Sequence, residues 1–440
     1  MRIAFRPALL LFLTAAVLLV PGGSGAAAGT HRVKPLRVVG KVVVYRLPHL
    51  RPARIRQARL QARGVHRRLA LKRVRRALRR HRMLRTRLIR HGRRRSRLVL
   101  VTDRRQRAAS RRPAPLACSA ALTEARTGSW PSGCWRPYAD SSPFNRPLPP
   151  SPRLLDGSAA IVRELAPAPD KLTVGNSDTR WDYSHPIYYS SPGDPEFTLH
   201  CYESSWGRCP IEGHRVRIPD RARPASGEDA HLTVVDAGSG WEYDLYKVRS
   251  KPAGGGTLEF RWGGLTRLDG PGNGSGATVS GFGNLAGIIR AQELAAGEIN
   301  HALFMVIQCS SGKTVYPATG GAGSRCTNPA GAPPMGARFQ LDMSDAEIGS
   351  LRVPAWKKTI LRAMARYGMY FGDTGSGGWG LQMESGASYT SFGFEDALVT
   401  FARSAGVPGS GGDYVFDVGA GIDWRSRLRV IDPCEARGDC

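Results

Sequence analysis

The stretch AAGEINHALFMVIQC (295–309) places an acid and a histidine before a strongly apolar run. Histidine titrates near neutral pH, so His301 is the best candidate for a general acid or base. Glu298 lies three residues away and points to the opposite face of a regular strand, so the partner of His301 must come from another strand. The alternative is a structural histidine that is hydrogen-bonded in the core.

Four carboxylates are candidates for catalytic roles together with His301. Glu242 and Asp244 are two residues apart, which puts them on one strand face at roughly 6.6 Å along the chain, a spacing that suits acid and base on a glycosidic bond. Asp236 and Asp373 lie in DAGSG and DTGSG, which resemble the paired loops of aspartic proteases. The alternatives are a solvated strand face for the first pair and ordinary turns for the second.

Arg338 follows PPMG and alternates into a strand, where it could neutralise a uronic acid or pair with Asp373 or Asp342. Aromatic side chains that could stack on sugar faces, unless they are core or rim residues, are Tyr246, Trp262, Tyr316 and Trp379. Glu242 is a further candidate for contact with substrate. The expected grouping joins His301 to Asp244 and Asp373 in one polar cleft.

Short apolar runs separated by Gly, Pro, Asn, Asp and Ser predict strands as the elements that position these residues. The clearest hairpin has its turn at 237–240. Its expected core face carries Leu232, Val234, Tyr243 and Leu245, and its expected polar face carries His231, Thr233, Glu242, Asp244 and Tyr246. One long helix is predicted, capped at Ser344 or Asp345, with Pro354 opening its main run and Gly368 stopping it. The predicted fold class is mainly β, a jelly-roll-like β-sandwich with one long peripheral helix.

The chain divides by charge. Residues 1–28 read as a secretory signal peptide, with Arg2 and Arg6 before a short apolar run and small residues at the end. Residues 31–115 hold 31 of the 64 Lys and Arg but a single acid, Asp103, whereas 116–440 hold 31 basic and 34 acidic residues. We therefore expect an Arg-rich arm at 29–115, disordered or conditionally helical, and a β-rich secreted globular domain at 116–440.

The expected partner of the arm is an anionic cell-wall polymer or membrane surface. Export and the absence of interleaved aromatic residues make nucleic acid unlikely. A cationic pro-segment without a specific ligand is the alternative.

Eight cysteines, all in 116–440, indicate disulfides in an exported chain. The short intervals suggest neighbour pairs: Cys118–Cys134, Cys201–Cys209, Cys309–Cys326 and Cys434–Cys440. No C-x-x-C or H-E-x-x-H motif favours a metal, and no motif calls for a cofactor.

From about residue 142 to 433 the chain resembles a large family of secreted, mostly actinobacterial proteins. The resemblance rests on SSPFNRPLP, HPIYY, VVDAGSGWEYDLY, GATVSGFGNLAGIIRAQELAAGEINHAL, PPMGARFQL and RYGMYFGDTG. The family is loosely similar to jelly-roll proteins that bind polysaccharides or cleave them by hydrolysis or elimination. This likeness concerns the fold alone. The residues on the family pattern are Asp236, Asp244, His301, Tyr316, Arg338 and Asp373.

These observations favour a secreted carbohydrate-active protein that cleaves a cell-wall or environmental polysaccharide by hydrolysis or elimination. In that hypothesis His301 is the acid or base, Asp244 and Asp236 are the carboxylates, Arg338 clamps charge and Asp373 orients the histidine. The alternatives are a wall-polysaccharide-binding, lectin-like module and, third, an aspartic-type protease.

Overall fold

The computed structural model describes residues 130–440 except 166, 176–179, 204 and 376, together with short segments between 29 and 102. The predicted signal peptide and Cys118 lie outside the described residues. The chain divides into two units, Met1–Pro115 and Leu116–Cys440, and each is described by itself.

The described part of the first unit consists mainly of strands. Their orders are β1-β7-β4-β5 and β2-β3-β6, and the pairs are antiparallel. Strand character follows from runs such as VVVY and LVLV, since β-branched residues favour a pleated surface. Residues 72 and 74–76 of the Arg-rich run are helical, and the disordered or conditionally helical arm stays a prediction. Their bounds are β1 Gly29–Val33, β2 Arg37–Val39, β3 Val42–Arg46, β4 Ile55–Ala62, β5 Val65–Arg68, β6 Met83–Arg87 and β7 Arg97–Thr102.

The second unit has more strand than helix. Its strands are β8 Leu172–Val174, β9 Ile187–Tyr189, β10 Glu196–Cys201, β11 Arg215–Arg217, β12 Leu232–Asp236, β13 Trp241–Ser250, β14 Gly256–Arg267, β15 Leu303–Ile307, β16 Arg338–Leu341, β17 Met369–Thr374, β18 Trp379–Leu381, β19 Gly409–Ser410, β20 Asp413–Phe416 and β21 Leu428–Ile431. They form sheets in the orders β11-β10-β14-β13-β12-β9, β18-β15-β17-β16-β21 and β19-β20-β8.

The prediction of a strand-rich domain is confirmed, but the jelly roll is not. Jelly rolls are antiparallel, whereas β9–β12, β10–β14 and β15–β17 are parallel pairs. Parallel pairs join segments that are distant in sequence, so no local turn signal reveals them.

The helices of the second unit are short. They are α1 Ser158–Glu164, α2 Ala291–Ala296, α3 Asp345–Ser350, α4 Ala355–Arg366, α5 Ala387–Thr390, α6 Ala397–Ala405, α7 Trp424–Arg427 and α8 Pro433–Arg437. The single long helix of the sequence analysis is wrong. Ser344 does cap α3, but that helix ends before Leu351, and α4 is a separate 12-residue helix. Pro354 imposes the break, because a residue before proline avoids the helical region.

The β12–β13 hairpin has the predicted turn and faces. Leu232 pairs with Leu245 and Thr233 with Asp244, so the polar residues do share one face. That face is not solvated, however, since Thr233, Glu242 and Asp244 are fully buried. The segment 283–285 covers it and donates backbone N–H groups to both carboxylates. The apolar face builds a core with Phe197, Phe260 and their neighbours, and a second large core lies around β15–β18.

Three of the predicted disulfides are present: Cys201–Cys209, Cys309–Cys326 and Cys434–Cys440. Such bonds are typical of chains that fold in an oxidising compartment. The fourth pair stays a prediction, because Cys118 lies outside the described residues. Among the helices that the structure describes, none has the length and apolar character to cross a bilayer.

Candidate functional site

A cavity of about 890 Å³ lies beside β13 and β14 of the six-stranded sheet and the end of β17. The residues that line it come from the loop after β10, from the residues before β12, from the middle of β13 and β14, and from the end of β17. Glycine-rich stretches at 274–281 and 319–323 close the remaining side. The aromatic and ionisable side chains that line it are Trp206, Asp229, His231, Tyr246, Trp262 and Asp373.

Three aromatic rings form one wall. Tyr246 and Trp262 lie opposite each other on β13 and β14. Trp206 packs on both, with ring centroids 6.3 Å from Tyr246 and 5.9 Å from Trp262. The loop that carries Trp206 is closed at its ends by the Cys201–Cys209 disulfide. Trp206 remains 51% exposed, so the wall continues from the cavity onto the surface.

An irregularity in β17 brings Asp373 into the cavity. The pairing with β15 skips Gly372, so that Met305 faces Phe371 and Val306 faces Asp373. Gly372 is required there, because a Cβ would lie 2.3 Å from the Phe304 ring. A bulge of this kind turns the next side chain away from its regular direction.

The Asp373 carboxyl is desolvated but hydrogen-bonded. Backbone N–H groups of Thr374 and Val279 donate to it at 2.7 and 3.3 Å. Burial raises its pKa to about 7, against these hydrogen bonds, and the charge of Asp229 adds to the rise. Asp373 therefore holds a proton at mildly acidic pH, as a general acid requires.

A second irregularity sets Asp229 beside Tyr246. Lys247 has a positive φ of 52°, and its N–H donates to the Asp229 carbonyl at 2.8 Å. The loop before β12 is thereby fixed against β13. Burial raises the pKa of Tyr246 to about 12, with a further contribution from Asp229. Tyr246 thus stays a neutral hydroxyl that can donate a hydrogen bond.

His231 is 7% exposed and lies against Tyr246 and His185, with ring centroids at 5.5 and 4.6 Å. Burial lowers its pKa to about 4, so the ring is neutral at pH 7. Its Nδ1 has no hydrogen-bond partner among the described residues. Most buried polar atoms in proteins have a hydrogen-bond partner, so an unpartnered ring nitrogen is unusual.

The glycine-rich wall brings backbone close to the cavity. A Cβ on Gly264 would lie 1.1 Å from the Ser275 carbonyl oxygen, so only glycine lets the 274–276 segment lie on β14. Backbone without side chains allows a ligand to approach closely. The cavity therefore combines an apolar wall, a polar backbone wall and two carboxylates. A protonated acid with a second carboxylate and an aromatic surface is suited to cleaving a glycosidic bond.

The structure brings together three of the residues singled out in the sequence: Asp373, Tyr246 and Trp262. The others lie elsewhere. Glu242 and Asp244 form a buried pair outside the cavity lining, in which Glu242 accepts from the Tyr138 hydroxyl at 2.6 Å and the Leu285 N–H at 2.8 Å. Burial raises the pKa of both carboxyls.

The expected cleft of His301, Asp244 and Asp373 is not what the structure shows. His301 is 2% exposed, and its Nε2 lies 2.8 Å from the Glu293 carboxylate. Glu293 also pairs with Arg290 at 2.9 Å. The partner of His301 thus comes from α2, a helix rather than a strand, and the histidine belongs to a buried ionic group.

Arg338 is a core residue and does not line the cavity. It is 4% exposed and donates to the carbonyl oxygens of Tyr367 and Arg146. Asp236 accepts N–H groups of its own turn, from Gly238 and Ser239, and does not line the cavity with Asp373. The two loops therefore do not both contribute a carboxylate to this cavity.

Two of the aromatic candidates are packing residues. Trp379 is 1% exposed and meets Trp424 edge-on at 5.3 Å. Tyr316 packs against the cluster around Phe282 and Tyr370.

Trp206, Asp229 and His231 are cavity residues that sequence reasoning missed or assigned no role. Trp206 had a usable signal, because a tryptophan in a short disulfide-closed loop is held at the surface. Asp229 and His231 had no such signal, because they precede β12 and the positive φ of Ala230 between them, 39°, breaks the alternation of a strand.

Comparison with known proteins gave no match to any family model, curated protein or solved structure. The resemblance to a secreted actinobacterial family therefore stays a prediction.

Proposed function

We propose that the protein is a secreted carbohydrate-active enzyme that hydrolyses a cell-wall or environmental polysaccharide in this cavity. One observation carries the proposal: a three-ring aromatic wall and two carboxyls, Asp229 and Asp373, line one cavity, and the pKa of Asp373 is raised to about 7. Aromatic faces bind the apolar faces of sugar rings, and the two carboxyls supply acid and base.

In this proposal Asp373 is the general acid that protonates the leaving oxygen. Asp229 is the second carboxylate, which activates water or attacks the anomeric carbon. Tyr246 and neutral His231 hydrogen-bond the sugar, and Trp206 and Trp262 provide stacking surface. The cavity residues thus replace the catalytic set of the sequence hypothesis, which consisted of His301, Asp244, Asp236 and Arg338.

Hydrolysis is favoured over elimination. Elimination from a uronic acid needs a cation that neutralises the sugar carboxylate, and Arg338, the residue expected for this, is enclosed in the core. His231 and Tyr246 could act as bases, but among the described lining residues there is no lysine or arginine to assist them.

The second candidate function is a lectin-like binding module. It is favoured by the exposure of Trp206 and Tyr202, 51% and 37%, on the surface next to the cavity. Such a surface would bind a polymer without cleaving it. Attachment to the wall or membrane through the Arg-rich arm, and membership of the secreted family, belong to either version.

The test is a panel of polysaccharides incubated with wild type, Asp373→Asn and Asp229→Asn. New reducing ends in the wild type, reduced about 10²- to 10⁴-fold in Asp373→Asn with glycan binding retained, would support hydrolysis. Asp156→Asn, at an exposed position, is the matched control and should cleave like the wild type. Retention on a glycan with no cleavage by any variant would favour the binding module, and unsaturated ends would favour elimination.

A further inference from the structure

The charges that line the cavity have one sign. Asp229 and Asp373 are the acidic residues of the lining, and its described part contains no lysine or arginine. His231 is neutral at pH 7. A ligand in the cavity therefore meets two acidic side chains and, among the described lining residues, no lysine or arginine.

Two cations contact aromatic rings of the cavity wall. The Arg261 guanidinium stacks over Trp206 at 4.5 Å and pairs with Glu203 at 3.0 Å. The Lys247 ammonium lies 5.6 Å from the Tyr246 ring centroid. Neither residue lines the cavity, and the charge of Arg261 is balanced by its own carboxylate partner.

A sugar carboxylate or sulfate placed beside Asp229 would be repelled, and the repulsion grows where water is excluded. An ammonium group there would instead form a charge-assisted hydrogen bond. Hydroxyl groups can donate to the same carboxylates without an ionic term.

We propose that the sugar residue bound in the cavity carries no negative charge, and that a sugar with a free amino group binds most tightly through Asp229. This inference rests on the proposed carbohydrate function of the same cavity. It names the substrate class as polymers of neutral or amino sugars, and it excludes polyuronates and sulfated glycans.

The experiment measures binding of four soluble tetrasaccharides to the full chain by calorimetry in 0.5 M NaCl, which screens the arm. The tetrasaccharides are built from glucose, N-acetylglucosamine, glucosamine or galacturonic acid. The N-acetylglucosamine and glucosamine tetramers are a matched pair that differs in charge at the amino group. The Trp206→Ala variant reports which binding occurs at the cavity, since Trp206 is exposed and can be truncated without opening the core.

We expect the glucosamine tetramer to bind at least about tenfold more tightly than its acetylated partner, and the galacturonic acid tetramer at least about tenfold more weakly than the glucose tetramer. Asp229→Asn should remove the advantage of the glucosamine tetramer over its acetylated partner.

Galacturonic acid binding that equals or exceeds glucose binding, and that Trp206→Ala abolishes, would overturn the inference while leaving the carbohydrate function intact. Equal binding of the glucosamine pair in the wild type would overturn the role given to Asp229. If no tetramer bound in a Trp206-dependent manner, both the inference and the proposed function would fail.

Discussion

At the scale of single residues, Asp373 and His301 show how burial separates two kinds of ionisable group. Asp373 is desolvated beside another acid, at the edge of a cavity that a ligand can reach. His301 is enclosed with ionic partners and has no such access. The first environment suits proton transfer to a ligand, whereas the second suits structure.

The pH dependence of catalysis should follow Asp373. A general acid works only while it holds its proton, and burial raises the pKa of Asp373 to about 7. We therefore expect kcat/KM to fall as pH rises through about 7, approaching tenfold per pH unit at higher pH. The measurement is kcat/KM from pH 4 to 9. A rate that stays flat to pH 9 would remove Asp373 from the acid role.

His301→Ala should affect stability and not turnover. Burial would raise the pKa of Glu293, but Arg290 and His301 hold it at about 2, so the acid is ionised inside the protein. Removing one partner of a buried ionic group and leaving a cavity should lower the free energy of unfolding by about 2–4 kcal/mol. Chemical denaturation measures this, and activity per folded molecule should be unchanged.

His200→Ala is the matched control for that variant. His200 is exposed and pairs with Glu212 at 3.0 Å on the surface, so its loss should cost less than about 1 kcal/mol. If His301→Ala were as stable as the control yet inactive, the catalytic role predicted from the sequence would return.

At the scale of elements, the cavity depends on departures from regular strands. The skipped Gly372 directs Asp373, the positive φ of Lys247 fixes the Asp229 loop, and a disulfide closes the loop of Trp206. The first displaces a side chain from the regular alternation of a strand, and the other two hold side chains that lie in loops.

The disulfide of the Trp206 loop should matter for affinity. Replacing Cys201 and Cys209 by serine removes the constraint on Trp206. The Kd for glycan, or the KM, should therefore rise several-fold. The closed loop has a sequence separation of 8, which by chain entropy corresponds to somewhat under about 3 kcal/mol of stability. Calorimetric binding and denaturation together measure the two effects.

The matched control is the replacement of both Cys434 and Cys440 by serine. Their disulfide closes a loop with a sequence separation of 6 that contains most of α8. We expect a similar loss of stability and unchanged glycan affinity, because neither cysteine lines the cavity. Equal losses of affinity in both double variants would assign the effect to general destabilisation.

At the scale of the whole molecule, the excess of basic residues and the cavity lie in different units. The basic residues that are not balanced by acids lie in 31–115, and the cavity lies in the unit Leu116–Cys440. The arm therefore supplies attachment in our proposal, and the second unit supplies recognition of the glycan.

A chain that begins at Leu116 should keep cleavage and lose retention on anionic walls or vesicles. Retention of the full chain should weaken steeply between about 50 mM and 500 mM salt, because screening shortens the reach of its many arginines. Co-sedimentation with walls measures this. Full retention of the shortened chain at low salt would show that the arm is not the anchor.

The sequence by itself determined the strand-rich character, the β12–β13 hairpin with its register and three disulfide pairs. These are local properties: they depend on alternation, turn residues and short cysteine intervals within about 20 residues. It also singled out Asp373 as an orienting acid and Tyr246 and Trp262 as side chains that could stack on a sugar.

Tertiary structure alone decided the rest. The parallel pairs β10–β14 and β15–β17 bring Trp206, Trp262 and Asp373 to their places from distant parts of the chain, and no pattern in the sequence encodes that pairing. Burial decided the fate of the polar candidates. Sequence reasoning placed Glu242 and Asp244 on a polar strand face, His301 in a cleft and Arg338 on a strand that faces a ligand. Each proved to be satisfied inside the core, because a buried polar group finds partners whose positions only the folded chain defines.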